Sequence, residues 1–279
     1  MTQGPALDWR EVFNLGNNAR TGKTNIMTHI DLYDGQAYVA FCGPCDLINN
    51  WDTGIQNGLA TNVGGAEPPV KGEPDGWHFA TAAGLPNRFI TSTELDPERP
   101  ETVYVTLAGY ANRTWIPPGS YLDPNTELGE GNVYVSTDAG ESFRNISGNL
   151  PAVHARSIVK RGTQLIVATD IGAFISSDLN GSTWAPLGDI PNAPMTQVVL
   201  KPFNPNKLYA STFGRGIWEY DFPEDASIDA PLTPPGGGGD GGGDGGDGGG
   251  IAGDGTRGGA LGGLLLLALG LLWGRRRGR

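Results

Sequence analysis

One short pattern occurs twice between residues 132 and 184, and it limits the possible folds of this 279-residue chain more than any other feature. The copies are Val133–Phe143 (VYVSTDAGESF) and Ala173–Trp184 (AFISSDLNGSTW). Each has an alternating apolar run, a Ser-x-Asp turn with glycine, a serine or threonine, and an aromatic residue. Alternation with a period of two indicates strands, and an Asp/Gly cluster between two such runs indicates a hairpin. The repeated stretch therefore predicts antiparallel sheet.

The residue types suit a tight turn. An Asp side chain can hydrogen-bond the backbone of its own turn, and glycine adopts the left-handed conformation that other residues resist. We expect the aromatic residue to fold back onto the core. The defining positions are Ser136, Asp138, Gly140 and Phe143 in the first copy, and Ser176, Asp178, Gly181 and Trp184 in the second.

This pattern resembles the Asp-box, or BNR repeat, Ser-x-Asp-x-Gly-x-Thr-Trp, of sialidases, other glycosidases, sortilin-type receptors and many secreted β-propellers. The resemblance implies an all-β propeller in which Asp138 and Asp178 brace turns away from any active centre, with Phe143 and Trp184 packing between blades. It implies a fold more firmly than an activity.

A second motif gives the period of the repeat. Leu95–Val105 and Leu200–Ala210 share two prolines three apart and a tyrosine four residues after the second proline. Together the motifs mark one unit every 40 to 60 residues, which is typical of a four-stranded propeller blade. The predicted units are residues 24–85, 87–150, 151–190 and 191–222.

The last unit shows only three strands, and a strand-like run, Asp8–Leu15, precedes the first unit. This run could supply the missing fourth strand and close a four-bladed ring. The interpretation we favour is that it ends a further blade, so that the four units belong to a larger ring.

Composition divides the chain into a propeller region (1–225), a Gly/Asp-rich flexible linker (226–257) and a C-terminal segment (258–279). The linker cannot bury enough apolar area to offset its ordering entropy. The last segment has Gly258-Gly259, a short apolar run that predicts a transmembrane helix, and a terminal arginine cluster.

This order of features resembles the GlyGly-CTERM sorting signal of Gram-negative bacteria. The resemblance implies export, cleavage near Gly258 and Gly259 by a rhomboid-type protease, and a surface or extracellular location. No leader precedes Asp8, which conflicts with an export-type tail, so we expect additional N-terminal sequence.

The two cysteines, Cys42 and Cys45, match a thioredoxin motif in letters, but no helical pattern follows them. A local disulfide is the better interpretation in an exported protein. The net charge of −11 argues against a nucleic-acid partner. Neither a metal site nor a cofactor is predicted, since His29, His78 and His154 lack metal-like spacing and are expected to be surface or turn residues.

Function is less constrained. The insertion between Tyr110 and Gly131 predicts a binding loop, because long irregular loops on rigid scaffolds carry recognition. Its candidate ligand-contacting residues are Tyr110, Arg113, Trp115 and Tyr121. Two hypotheses follow: a module that binds a glycan or a cell-surface protein, and a glycoside hydrolase. For the hydrolase, Asp52, Glu94 and Asp170 are candidates to face the central axis, although Asp170 fits a turn-bracing role better.

Overall fold

The computed structural model describes residues 13–16, 25–42, 57–64, 76–109, 115–116, 120–121, 129–190 and 193–223. Within these ranges the chain contains strands and turns but no α-helix. Accordingly, none of the described segments is a helix able to cross a bilayer.

Four antiparallel sheets follow one another along the chain, and we name them blades 1 to 4. Blade 1 contains β1 (Ile26–Tyr33), β2 (Gln36–Cys42), β3 (Gly58–Thr61) and β4 (His78–Phe79). Blade 2 contains β5 (Ile90–Leu95), β6 (Val103–Leu107), β9 (Val133–Ser136) and β10 (Arg144–Asn145), with β7 (Trp115–Ile116) and β8 (Ser120–Tyr121) as a separate hairpin in its insertion. Blade 3 contains β11 (Ala155–Arg161), β12 (Gln164–Thr169), β13 (Gly172–Ser176) and β14 (Trp184–Pro186). Blade 4 contains β15 (Met195–Lys201), β16 (Asn204–Thr212) and β17 (Gly216–Asp221).

Within each blade the strands lie in sequence order, and the first strand is the inner one. The inner strands pack on one another in the order β1, β5, β11, β15. No comparable contact joins β15 to β1 among the described strands. The prediction of an all-β propeller with about four blades is therefore confirmed, and the four predicted units coincide with the four sheets.

Every inner strand carries a β-bulge near its beginning. The pairing register shifts between Met27 and His29 in β1, Ile90 and Ser92 in β5, Ala155 and Ser157 in β11, and Met195 and Gln197 in β15. The skipped residues are thus structurally equivalent: Thr28, Thr91, Arg156 and Thr196. This equivalence fixes the alignment of the four blades residue by residue.

The hydrophobic core lies between blades rather than inside any one of them. A first cluster joins blades 1 and 2 and includes Tyr38 and Phe143, a second joins blades 2 and 3 and includes Tyr104 and Trp184, and a third joins blades 3 and 4. Because blades 2 and 3 are apolar on both faces, each gains much of its stability from the blades on either side.

The described part of the N-terminal run does not pair with blade 4. Its described part, Phe13–Gly16, is not a strand, and Phe13 stacks on Trp77 with ring centroids 5.0 Å apart. The backbone of Gly16 accepts a hydrogen bond from Asn25, just before β1. Within the part of the chain that the structure describes, blade 4 has three strands. The idea that residues 8–15 supply its fourth strand within one chain is therefore wrong for the described part of that run, which packs on blade 1.

Candidate binding face at the loop end of the blades

The two ends of the sheets differ in construction. At one end, which we call the turn end, lie the repeated Ser-x-Asp turns and the connections from each inner strand to the second strand. At the other, the loop end, lie the bulges, the inserted hairpin and the links between successive blades.

Both repeated aspartates at the turn end hold their own turns. Asp138 accepts a hydrogen bond from the Ser142 backbone N–H at 2.9 Å and binds the Ser136 and Ser142 hydroxyls. Asp178 accepts from the backbone N–H groups of Asn180 at 2.8 Å and Ser182 at 3.2 Å. Burial alone would raise the pKa of each aspartate, but these hydrogen bonds outweigh it and hold the pKa below its usual value. The two carboxylates are therefore occupied with the turn.

The same turns also join neighbouring blades. The Trp184 indole N–H donates to the Ile146 carbonyl of blade 2 at 3.1 Å, and its backbone N–H donates to Asn149 at 2.6 Å. Gly181 has a φ of 62°, and a Cβ there would lie 1.9 Å from the Ile146 oxygen. Only glycine fits where the turn of blade 3 meets the backbone of blade 2.

At the loop end, one buried arginine holds both feet of the insertion. Arg88, 1% exposed, donates to the Ala108 carbonyl through Nε at 2.9 Å and through Nη2 at 2.6 Å. Its Nη1 donates to the Gly131 carbonyl at 2.6 Å. Residues 108 and 131 flank the inserted segment, so Arg88 fixes where it leaves and rejoins the blade. Burial lowers the pKa of Arg88 to about 10, which leaves it charged at neutral pH.

Asn132 and His154 strengthen this anchor. The Asn132 amide donates to the Leu107 and Gly109 carbonyls at 2.8 and 2.9 Å, and its buried Oδ1 has no hydrogen-bond partner among the described residues. His154 Nδ1 accepts from the Gly109 N–H at 3.2 Å. Burial, and then the charge of Arg156, lower the pKa of His154 to about 4. The imidazole is thus neutral, with its proton on Nε2.

The repeat is broken beside this anchor. At the bulge position three blades carry threonine, whereas blade 3 carries Arg156. Its Nε donates to Asp170 Oδ1 at 2.7 Å, and the two side chains are 32% and 16% exposed. Bulges re-aim side chains and are frequent next to binding sites. Among the described residues the Arg156 guanidinium bonds only through Nε, so its Nη groups are able to donate to an anionic or hydroxyl-rich ligand.

The candidate catalytic acids do not form a carboxylate pair in the described part of the chain. Glu94 lies in the inner strand β5, where its Oε1 accepts the Lys160 N–H at 2.8 Å. Burial, with a smaller contribution from nearby Asp31, outweighs the hydrogen bond from Lys160 and raises the pKa of Glu94 to about 8. Asp31 in turn accepts the Leu95 N–H. Asp170 lies at the opposite end of the sheets, and Asp52 lies outside the described residues.

Tyr110, Arg113, Cys45, Gly258 and Gly259 lie outside the described residues. Trp115 and Tyr121 pair across the β7–β8 hairpin, which shows only the course of their backbone. Cys42 is buried at the end of β2 and is disulfide-bonded. Its pairing with Cys45 stays a prediction.

The expectation that all three histidines lie on the surface or in turns is wrong for two of them. His154 is 3% exposed, and His29 is half-buried, with its Nδ1 2.9 Å from the Thr93 hydroxyl of the next blade. Arg88, Asn132 and Arg156 were also missed as site residues. Arg156 could have been found only by aligning the inner strands, because no local motif marks it.

A separate small cleft, of about 120 Å³, lies between blades 3 and 4 and is lined mainly by apolar side chains such as Leu187, Met195 and Tyr220. Ligand pockets typically measure about 300–1,000 Å³. This cleft is therefore small for a sugar, and neither Arg88 nor Arg156 lines it.

No protein-family model and no curated protein matches this sequence. Among solved structures, the chain is similar to a gluconolactonase from Xanthomonas campestris (14% identity, TM-score 0.44, covering 69% of this chain and 55% of that one). It is also similar to the GH74 enzyme of Niastella koreensis (15%, TM-score 0.43, 76% and 29%) and to YCF48 from Cyanidioschyzon merolae (13%, TM-score 0.45, 74% and 52%). The chain thus spans about half of the gluconolactonase and less than a third of the GH74 enzyme.

Proposed function

We propose that this chain is a glycan-binding propeller module, exported and displayed at the cell surface, whose ligand binds at the loop end. The observation that carries the proposal is the buried clamp of Arg88 on both feet of the inserted hairpin, next to the partly exposed Arg156. Fixing the two ends of a loop removes part of the entropy that it would otherwise lose on binding, which favours recognition.

Acidic glycans are the best-matched ligand class. Arg156 offers planar N–H donors, which suit a carboxylate, and Asp170 orients the guanidinium. The aromatic residues Trp115 and Tyr121 of the insertion are candidates to stack on sugar rings. A cell-surface protein that carries such glycans would bind through the same contact between carboxylate and Arg156.

The test is a glycan array that contains uronate-terminated, sialylated and neutral members, probed with the full chain. We expect binding to the acidic members, loss of that binding in Arg156→Met, and retention in the matched exposed variant Arg144→Met. Equal signals from all three proteins, or no signal at all, would contradict the proposal.

A glycoside hydrolase is the second candidate. It rests on Glu94, which burial keeps protonated near neutral pH, the state that a general acid needs. A panel of fluorogenic glycosides tests it: turnover that Glu94→Gln abolishes would establish the hydrolase and remove the pure binding module. We expect no turnover, because Asp170, the other candidate acid among the described residues, lies at the opposite end of the sheets.

Export and processing are part of the proposal and rest on the C-terminal segment. A rhomboid-type protease would cleave near Gly258-Gly259 and release or transfer the protein. Mass spectrometry of the mature C-terminus in a Gram-negative host tests this: a C-terminus that retains the terminal arginines would contradict it.

A further inference from the structure

The face of blade 1 that points away from blade 2 is built as an interface between blades. His29 and Asp31 reach towards blade 2, so Ile30 points the other way. Alignment of the blades at their bulges gives Met27 and Ile30 an equivalent residue in each of the other three blades. Those equivalent residues are buried against the blade that precedes their own. Met27 and Ile30 are 53% and 54% exposed, whereas their equivalents are at most 2% exposed: Ile90, Ala155 and Met195 for Met27, and Thr93, Ile158 and Val198 for Ile30.

The chemistry that covers such a face is known from the other three blades. Each inner strand receives side chains from the inner strand before it. The Thr28 hydroxyl donates to the Ile90 carbonyl at 2.9 Å, and the Thr91 hydroxyl donates to the Ala155 carbonyl at 2.7 Å. Two of the three contacts between blades use the bulge threonine in this way, so another blade that carries a threonine at its bulge fits the blade 1 face.

Blade 4 has this feature on its own open face. Thr196 lies at the bulge position. Tyr209 is the cross-strand partner of Val199. The buried Tyr38 and Tyr104 pair in the same way with the equivalent residues of β1 and β5. Val199 and Ile217 are 42% and 79% exposed on this face. It also carries an exposed charged group, Lys207 with Glu219 and Asp221, whose members are paired with one another.

Blade 4 shows three strands among the described residues, and this also points to the same arrangement. In blades 1 to 3, the segment just before the next inner strand is the outer strand of the preceding blade. The segment before β1 contains Phe13, which packs on Phe79 and Trp77. Phe79 shares its face with Ile30 through the cross-strand partners Ala60 and Val39. Phe13 therefore lies on the open face, towards the outer edge of blade 1.

We infer that a second copy of this chain covers the face. Blade 4 of each copy packs on blade 1 of the other, and the two contacts, related by a twofold axis, close a ring of eight blades. Eight is within the range that propellers form, and closure leaves no open sheet face. The segment around Phe13 of one copy then lies beside the three-stranded blade 4 of the other.

Sedimentation velocity of the full chain in nonionic detergent tests the inference. We expect twice the chain mass, and at least a tenfold loss of dimer affinity in Ile30→Asp and in Ile217→Asp. The matched control is Ile171→Asp: Ile171 is 44% exposed in a turn of blade 3, away from both faces. Circular dichroism verifies that each variant keeps its sheet.

Mixing the variants tests the geometry. In a head-to-tail dimer of one Ile30→Asp chain and one Ile217→Asp chain, both changes fall in one contact and the other contact is unaltered. The mixture should therefore dimerise more strongly than either variant alone. A monomeric wild-type chain would overturn the inference. So would a dimer that Ile217→Asp leaves intact, because that result would mean blade 1 pairing with blade 1.

Discussion

The turn end and the loop end of the blades are built from the same strands but follow opposite rules. At the turn end, blades 2 and 3 repeat one arrangement, in which an aspartate binds its own turn and an aromatic residue packs on the blade before. At the loop end the blades diverge: one has an insertion, and one has an arginine where the others have threonine.

The difference separates the residues that build the fold from those free to bind. Asp138 and Asp178 accept hydrogen bonds from their own turns and brace them. At the loop end, Arg88 and Asn132 are buried and hold the base, while Arg156 is partly exposed. Changes at the turn end should therefore cost stability, and changes at the exposed loop end should cost binding.

The largest effect is expected at Gly181. Alanine there meets both a left-handed backbone and the Ile146 oxygen, so Gly181→Ala should lower the free energy of unfolding by about 4 kcal/mol. Gly214 has a φ of 81° with open space around it. Gly214→Ala therefore measures the cost of the left-handed backbone alone, which should be about 1 kcal/mol. Urea unfolding measures both. Equal losses of unfolding free energy in the two variants would contradict the close contact between Gly181 of blade 3 and Ile146 of blade 2.

The contrast between the turn end and the loop end also explains how much of the structure the sequence predicts. The turn-end motifs are local, since Asp138 and its partners lie within four residues, and the repeat gave the strands and blade limits correctly. Arg88 binds carbonyls 20 and 43 residues away, which have no side-chain signature. The burial of His154 likewise depends on a contact with Gly109 of the preceding blade, 45 residues away, so a local pattern could not reveal it.

A smaller loss is expected at the loop-end clamp. Arg88→Met removes the donors to two buried carbonyls and should cost about 2–3 kcal/mol. Limited proteolysis should then cut the insertion between residues 110 and 130 at least tenfold faster. Arg144→Met is the matched control: Arg144 is exposed and bonds only Asn180 among the described residues, so its loss should cost less than about 0.5 kcal/mol. An insertion cut at the wild-type rate in Arg88→Met would refute the clamp.

The burial of Glu94 should be visible in the pH dependence of the unfolding free energy. Its pKa is about 8 in the folded chain, above the ordinary value of 4.5, so folding favours its protonated form. This group therefore stabilises the fold below pH 4.5, and its contribution is lost as the pH rises from there to about 8. Compared with the wild type, Glu94→Gln should flatten the fall in unfolding free energy across that window. Unchanged pH profiles would show that Glu94 is not buried as described.

The smallest effect on stability is expected at Arg156. Its ion pair with Asp170 is partly exposed, so Arg156→Met should change the unfolding free energy by less than about 1 kcal/mol. The same change should abolish binding of acidic glycans on the array. A loss of several kcal/mol would place Arg156 among the residues that build the fold and would remove the distinction between the two ends.

Hydrogen exchange of the full chain, with and without the acidic glycan that binds most strongly on the array, tests the central claim most directly. We predict slower exchange at the loop end, in residues 107–109, 129–132 and 154–156, and unchanged exchange in the turn-end segments 136–142 and 176–182. Protection of the turn-end segments with none at the loop end would contradict the division of labour between the two ends.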